Sequence, residues 1–174
     1  MRKTTIILLL VSGVFAKAEA QKGEKSLAAG LLISFPENRN IIYMDNRSLN
    51  TGVGLEGIGQ YNFTQKSAAL LQLQLTRFSG QVYYNQFSSS FIGLSLKGGY
   101  RYQFTTSGFY ANVLVGVETG SDGSLNTAAV LGLGKRFAIK DVNFIDAGLD
   151  YIIGDISRFN IKAVFSLLRR PKDN

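Results

Sequence analysis

The sequence predicts an all-β protein: an antiparallel up-and-down transmembrane β-barrel of about eight strands, with polar side chains inside and apolar ones outside. Three observations predict it. Beyond residue 20, apolar and polar residues alternate with a period of two, the period of a strand. The alternating stretches run to about ten residues, the length a tilted strand needs to cross a bilayer. The links between them are short at one end of the molecule and longer at the other, as in a barrel that crosses a membrane.

Composition sets the bounds. The chain has 174 residues, 19 of them Gly and only 2 Pro, with no Cys, His or Trp. That length suits one domain. Without Cys there is neither a disulfide framework nor a thiolate metal site. Without His the commonest general base and metal ligand is missing. No apolar run in the body of the chain reaches the roughly 20 residues of a membrane helix.

The first segment, "MRKTTIILLLVSGVFAKAEA", has the layout of a secretory signal peptide. Arg2 and Lys3 open it, an apolar stretch runs from Ile6 to Ala16, and Ala18-Glu19-Ala20 forms a small-residue cleavage site. Ala16-Lys17-Ala18 is an alternative site two residues earlier. The apolar stretch is short for a membrane anchor. The expected domains are therefore a signal peptide over 1–20 and a barrel over 21–174. Loss of Arg2, Lys3, Lys17 and Glu19 lowers the basic residues from 19 to 16 and the acidic from 12 to 11, so the net charge falls from +7 to +5. Nucleic acid is not an expected partner of such an exported chain.

Strands are expected at 26–35, 51–63, 67–78, 91–104, 109–118, 125–137, 143–153 and 157–168. The stretch "LLQLQLT" (70–76) is typical. Leu71, Leu73 and Leu75 share one face, and Gln72, Gln74 and Thr76 share the other. The second strand sets Val53, Leu55, Tyr61 and Phe63 against Glu56, Gln60 and Asn62. The fourth sets Ile92, Leu94, Leu96, Tyr100, Tyr102 and Phe104 against Ser95, Lys97, Arg101 and Gln103. The fifth sets Phe109, Val113, Val115 and Val117 against Tyr110, Asn112 and Glu118. The sixth sets Leu131, Leu133 and Phe137 against Asn126 and Arg136. The seventh sets Ile145, Leu149, Tyr151 and Ile153 against Asp146 and Asp150. The eighth sets Phe159, Ile161, Phe165 and Leu167 against Arg158, Asn160, Lys162 and Ser166. The charged exceptions on the apolar faces are Arg77 and Lys135.

The polar face is rich in Gly, Ser, Asn and Gln, and its charges nearly balance. The acids Glu56, Glu118, Asp146 and Asp150 meet the bases Lys97, Arg101, Arg136, Arg158 and Lys162. A filled barrel interior needs such mutually satisfied groups, because buried charge must be paired. These nine residues are the expected interior charge network. A hairpin centred on Gly154 would oppose Asp150 to Arg158 and Asp146 to Lys162.

The longer links are "PENRNIIYMDNRSLN" (36–50) and "SGQVYYNQFSSS" (79–90); "TGSDGS" (119–124) and "GDIS" (154–157) are shorter. The opposite end has only "TQKS" (64–67), "TTSG" (105–108) and "IKDV" (139–142). Tyr61, Phe63, Tyr102, Phe104, Phe109 and Phe137 gather at those short-turn ends of the apolar face, as in an aromatic girdle. Signal peptide, ten-residue alternating strands, short turns and long loops together make the chain similar to the small eight-stranded outer-membrane β-barrels of the OmpA/OmpX and PorT-like kind. The resemblance covers nearly all of the chain after residue 20. It departs at the end, where "RRPKDN" (169–174) follows a last strand carrying Phe165.

The resemblance implies residence in the outer membrane with lipid as surroundings; enzymatic barrels of similar shape exist, but no enzymatic activity is expected from these residues. A barrel this narrow is filled by side chains, which excludes a wide channel. Catalysis on a His with Ser or Asp is unavailable, and basic neighbours keep the interior carboxylates ionised. No cofactor or metal is expected. "GVGLEGIG" (52–59) resembles a dinucleotide fingerprint but is followed by strand rather than helix. "SDGS" (121–124), with Asp122, offers too few oxygens for calcium. The expected role is structural, or contact with a surface ligand or envelope protein through the outer loops. Ile41, Ile42, Tyr43, Met44, Tyr83, Tyr84 and Phe87 form a possible contact patch there, or simply cover the barrel rim. The alternatives are a small pore or part of a transport or secretion apparatus, and a soluble periplasmic lipid-binding barrel with the leucines inside.

Overall fold

The computed structural model describes residues 22–37, 40–41, 47–82, 88–104, 107–120, 123, 125–139, 143–154 and 156–170. The segment 1–20 and the tail 171–174 lie outside them, as do Asp122 and six residues of the expected loop patch: Ile42, Tyr43, Met44, Tyr83, Tyr84 and Phe87. Of Ile41 only the backbone is described.

Eight strands close into an antiparallel barrel. They are β1 (Lys25–Pro36), β3 (Arg47–Asn62), β4 (Ser67–Val82), β5 (Ser88–Gln103), β6 (Phe109–Gly120), β7 (Leu125–Ala138), β8 (Phe144–Ile153) and β9 (Arg158–Arg170). The two-residue β2 (Asn40–Ile41) pairs with the start of β3. Every barrel strand pairs with its chain neighbours, and β1 closes the ring by pairing with both β9 and β3. Closure leaves no unpaired edge, the condition for a sheet surrounded by lipid.

The strands around the first and third links are longer than the sequence predicts. Residues 79–81 pair with 88–90, and 47–49 pair with 80–82. The expected links 36–50 and 79–90 are therefore shorter loops on extended hairpins. Alternation is weak there, because a ladder that projects beyond a bilayer has no apolar face to keep.

At the short-turn end, Thr64 closes the β3–β4 turn. Its Oγ1 accepts from the amides of Lys66 (3.1 Å) and Ser67 (3.0 Å). Gly108 adopts φ +87° before β6, a conformation that favours glycine.

The parity of each strand sets which face is outside. Leu71 and Leu73 are 58% and 52% exposed, whereas Gln72 and Gln74 are 1% exposed. The outer surface is a continuous apolar belt carrying Leu31, Leu55, Leu73, Leu96, Val115, Leu133, Leu149 and Ile161. A barrel with these leucines inside, as a soluble lipid carrier needs, is not what forms. Two aromatic groups bound the belt. At the short-turn end Tyr61 meets Phe63 and Tyr102 meets Phe104, both edge-on at 5.5 Å. At the loop end Tyr151 lies 4.7 Å from Phe159.

Candidate functional site

The inward faces bring the nine charged residues together in three tiers. Nearest the short turns, Arg136 on β7 is the register partner of Asp146 on β8. Arg136 Nε donates to Asp146 Oδ1 (2.8 Å) and Nη2 to Oδ2 (2.9 Å). Arg101 Nη1 reaches the same Oδ2 at 2.6 Å from β5. Gln60 Oε1 accepts from both guanidiniums, at 2.9 and 3.0 Å. Arg101 Nε donates to Asn112 Oδ1 (2.9 Å). Each guanidinium also covers an aromatic ring: Arg101 lies 3.9 Å from the Tyr110 centroid and Arg136 3.7 Å from that of Phe144. One carboxylate thus holds two cations, with the rings and the Gln60 and Asn112 amides adding further contacts, while Arg101 Nη2 is left without a hydrogen bond.

The middle tier centres on Glu56 and Lys162. Lys162 Nζ bridges Glu56 Oε1 (3.0 Å) and Asp150 Oδ2 (2.7 Å). Gln72 and Gln74 donate to the two Glu56 oxygens at 3.1 and 2.9 Å. Lys97 Nζ donates to Ser95 Oγ (2.6 Å) and Gln74 Oε1 (3.2 Å). Nearest the loops, Arg158 Nη2 pairs with Glu118 Oε1 at 2.8 Å and packs against Phe78.

The register of the β8–β9 hairpin corrects one expectation. Asp150 lies opposite Asn160, and Asp146 opposite Val164. Neither Asp150 with Arg158 nor Asp146 with Lys162 is an opposed pair. The connection takes up residues 153–157, and Ser157 Oγ donates to the Gly154 carbonyl (3.3 Å) inside it. The centre therefore falls at position 155 rather than Gly154, and each partner moves two places along β9. Lys162 still meets Asp150, diagonally, because its direct partner is Gly148, which has no side chain to intervene.

Alternation alone did not single out the residues that fill the space between the charges. Ile58, Leu70, Leu114, Val130, Phe144, Ile152 and Val164 face inward and pack as one buried cluster. Two inward glycines make room for large neighbours. A Cβ on Gly134 would collide with the Tyr110 side chain and approach the Ala147 carbonyl at 2.7 Å; a Cβ on Gly132 would strike Asp150. The signal for these was present: an aromatic such as Tyr110 or Phe144 on a polar face, opposite strands bearing glycine.

Among the described residues, no group of three or more His, Cys, Asp or Glu side chains could hold a metal ion. The outward exceptions, Arg77 and Lys135, differ in setting. Lys135 lies within 4.9 and 5.1 Å of the Phe109 and Phe137 ring centroids, within the short-turn girdle. Arg77 is exposed on the loop-side half of β4.

No family model matches the chain, and no curated protein does. Solved structures match over most of its length. Ail, the attachment invasion locus protein of Yersinia pestis, solved in complex with the heparin analogue sucrose octasulfate, superposes with a TM-score of 0.58 at 18% identity, over 86% of this chain and 100% of that one. The outer membrane protein OprG of Pseudomonas aeruginosa gives 0.56 at 12%, over 86% and 95%. Neisserial surface protein A gives 0.56 at 14%, over 82% and 94%.

Proposed function

We propose that the chain, which has the fold of the small eight-stranded outer-membrane barrels, is an integral outer-membrane protein without enzymatic activity. Residues 1–20 direct its export, and the loops at the longer end contact a surface ligand or an envelope protein. The observation that carries this is the outward face: a closed ring of exposed Leu, Val, Ile and Phe bounded by two aromatic groups. Such a belt is stable only against lipid.

Catalysis finds no support in the interior, where Asp146, Asp150, Glu56 and Glu118 each face a Lys or Arg. The three charge tiers and the apolar cluster between them argue against a pore of useful width. A loop-borne contact is the role left to such a scaffold, since rigid barrels carry function on their loops. The heparin analogue bound to Ail makes sulfated carbohydrate one ligand class to screen.

The test is heat-modifiability. The mature chain is expressed in membranes, extracted in mild detergent, and run on a denaturing gel with and without boiling. A mobility shift on boiling and fractionation with the outer membrane are expected. A soluble periplasmic chain with no shift overturns the proposal.

A further inference from the structure

The two rims of the barrel differ in charge. At the short-turn end the described chain carries Lys22, Lys25 and Lys66 exposed, with Arg169 and Arg170 at the end of β9; Lys135 and the acid Glu24 are both buried there. At the loop end the described rim has Glu37, Arg47 and Arg77. The segments joining strands add by sequence Arg39 against Asp45, Asp122 and Asp155 at that end, and Lys140 against Asp141 at the short-turn end. One end is strongly basic and the other near neutral.

The basic residues stand at the depth of the aromatic girdle. Lys25 is the register partner of Tyr61 on one side. Lys66 is exposed in the turn that follows Phe63. That is the level of lipid headgroups, where aromatic belts lie and long basic side chains extend toward water.

The charge is concentrated at the seam where the barrel closes. Lys25 on β1 is opposed to Arg170 on β9, and Ser26 to Arg169. Lys22 enters beside them, its chain held to β3 by backbone bonds from Gly23 to Asn62 (2.7 Å) and from Asn62 to Glu24 (3.0 Å). Like charges at opposed ladder positions weaken a sheet pair. Here one such pair, Lys25 with Arg170, falls on the ladder that completes the ring.

We infer that the short-turn rim, centred on the β1–β9 seam, binds anionic phospholipid headgroups of the adjoining leaflet. The phosphodiester is the recognised group, and Lys and Arg supply the attraction. The inference rests on the barrel spanning a membrane.

The test uses the full mature chain in phosphatidylcholine vesicles containing spin-labelled phosphatidylglycerol or spin-labelled phosphatidylcholine. Electron spin resonance reads the fraction of each label held at the protein surface. A several-fold preference for the anionic label is expected, weakened by high salt. The K22Q/K25Q/R170Q variant loses most of that preference, and Arg77→Gln at the opposite rim keeps it. No preference in the natural chain, or an undiminished one in the triple variant, overturns the inference. Should the triple variant fail to fold, Lys25→Gln alone is measured; an unchanged preference there, with no salt effect in the natural chain, overturns it equally. No lipid preference together with binding to isolated cell-wall polymer also overturns it, in favour of a polymer partner. A heat-shift gel on each sample separates the failures: a chain with no shift refutes the membrane barrel itself.

Discussion

Arg136 and Asp146 face each other across β7 and β8, and the guanidinium holds both carboxylate oxygens, at 2.8 and 2.9 Å. Arg101 shares the same carboxylate from β5, so one acid ties together strands that are not all neighbours. Asp146→Asn leaves two buried guanidiniums without their anion. Breaking a buried pair from one side costs about 3–5 kcal/mol. Urea unfolding of the refolded barrel in vesicles should show a loss of that size. Added salt should restore little of it, since the pair is buried.

The corrected hairpin register makes a sharper prediction. A double-mutant cycle on Asp150 and Lys162, which lie 2.7 Å apart, should give a coupling of about 0.5–3 kcal/mol. The cycle on Asp150 and Arg158 should give almost none, because Arg158 pairs with Glu118 at 2.8 Å. Coupling of the second pair as strong as the first would contradict the register.

Gly134 tests the packing between the charges. The Tyr110 side chain and the Ala147 carbonyl occupy the space a Cβ would take. Gly134→Ala should therefore destabilise the barrel by about 1–3 kcal/mol, the usual cost of overpacking. Tyr110→Phe in the same background should not recover the loss, since the ring remains in place. Unfolding midpoints of the two variants decide this.

The lipid face answers to charge according to depth. Leu73→Arg places a cation near the middle of the outward belt and should cost about 2–4 kcal/mol. Removing the natural charge on β4, by Arg77→Leu, should change stability little, because Arg77 lies toward the loop end. Equal losses at the two positions would mean that the belt is centred elsewhere along the strand.

The alternation of residues by itself determined the strand number, the closed all-β architecture and the side on which Leu71, Leu73 and Leu75 lie. The physical reason is that strand periodicity ties each side chain to a face, and only one face of these strands can meet lipid. The same parity placed Glu56, Lys97, Arg101, Arg136, Asp146, Asp150, Arg158 and Lys162 inside. It could not say which of them meet. Parity constrains the face of a residue and not its height around a ring, so an opposed match of Asp150 with Arg158 was as consistent as the diagonal one with Lys162. Only the tertiary structure decided this. The residues taken up by the 153–157 connection set the register, and the closing of β1 onto β9 and β3 brought Lys162 to Glu56 and Arg101 to Asp146 across strands far apart in sequence. The seam opposing Lys25 to Arg170 arose in the same way, since the two ends of a chain become neighbours only when the ring closes.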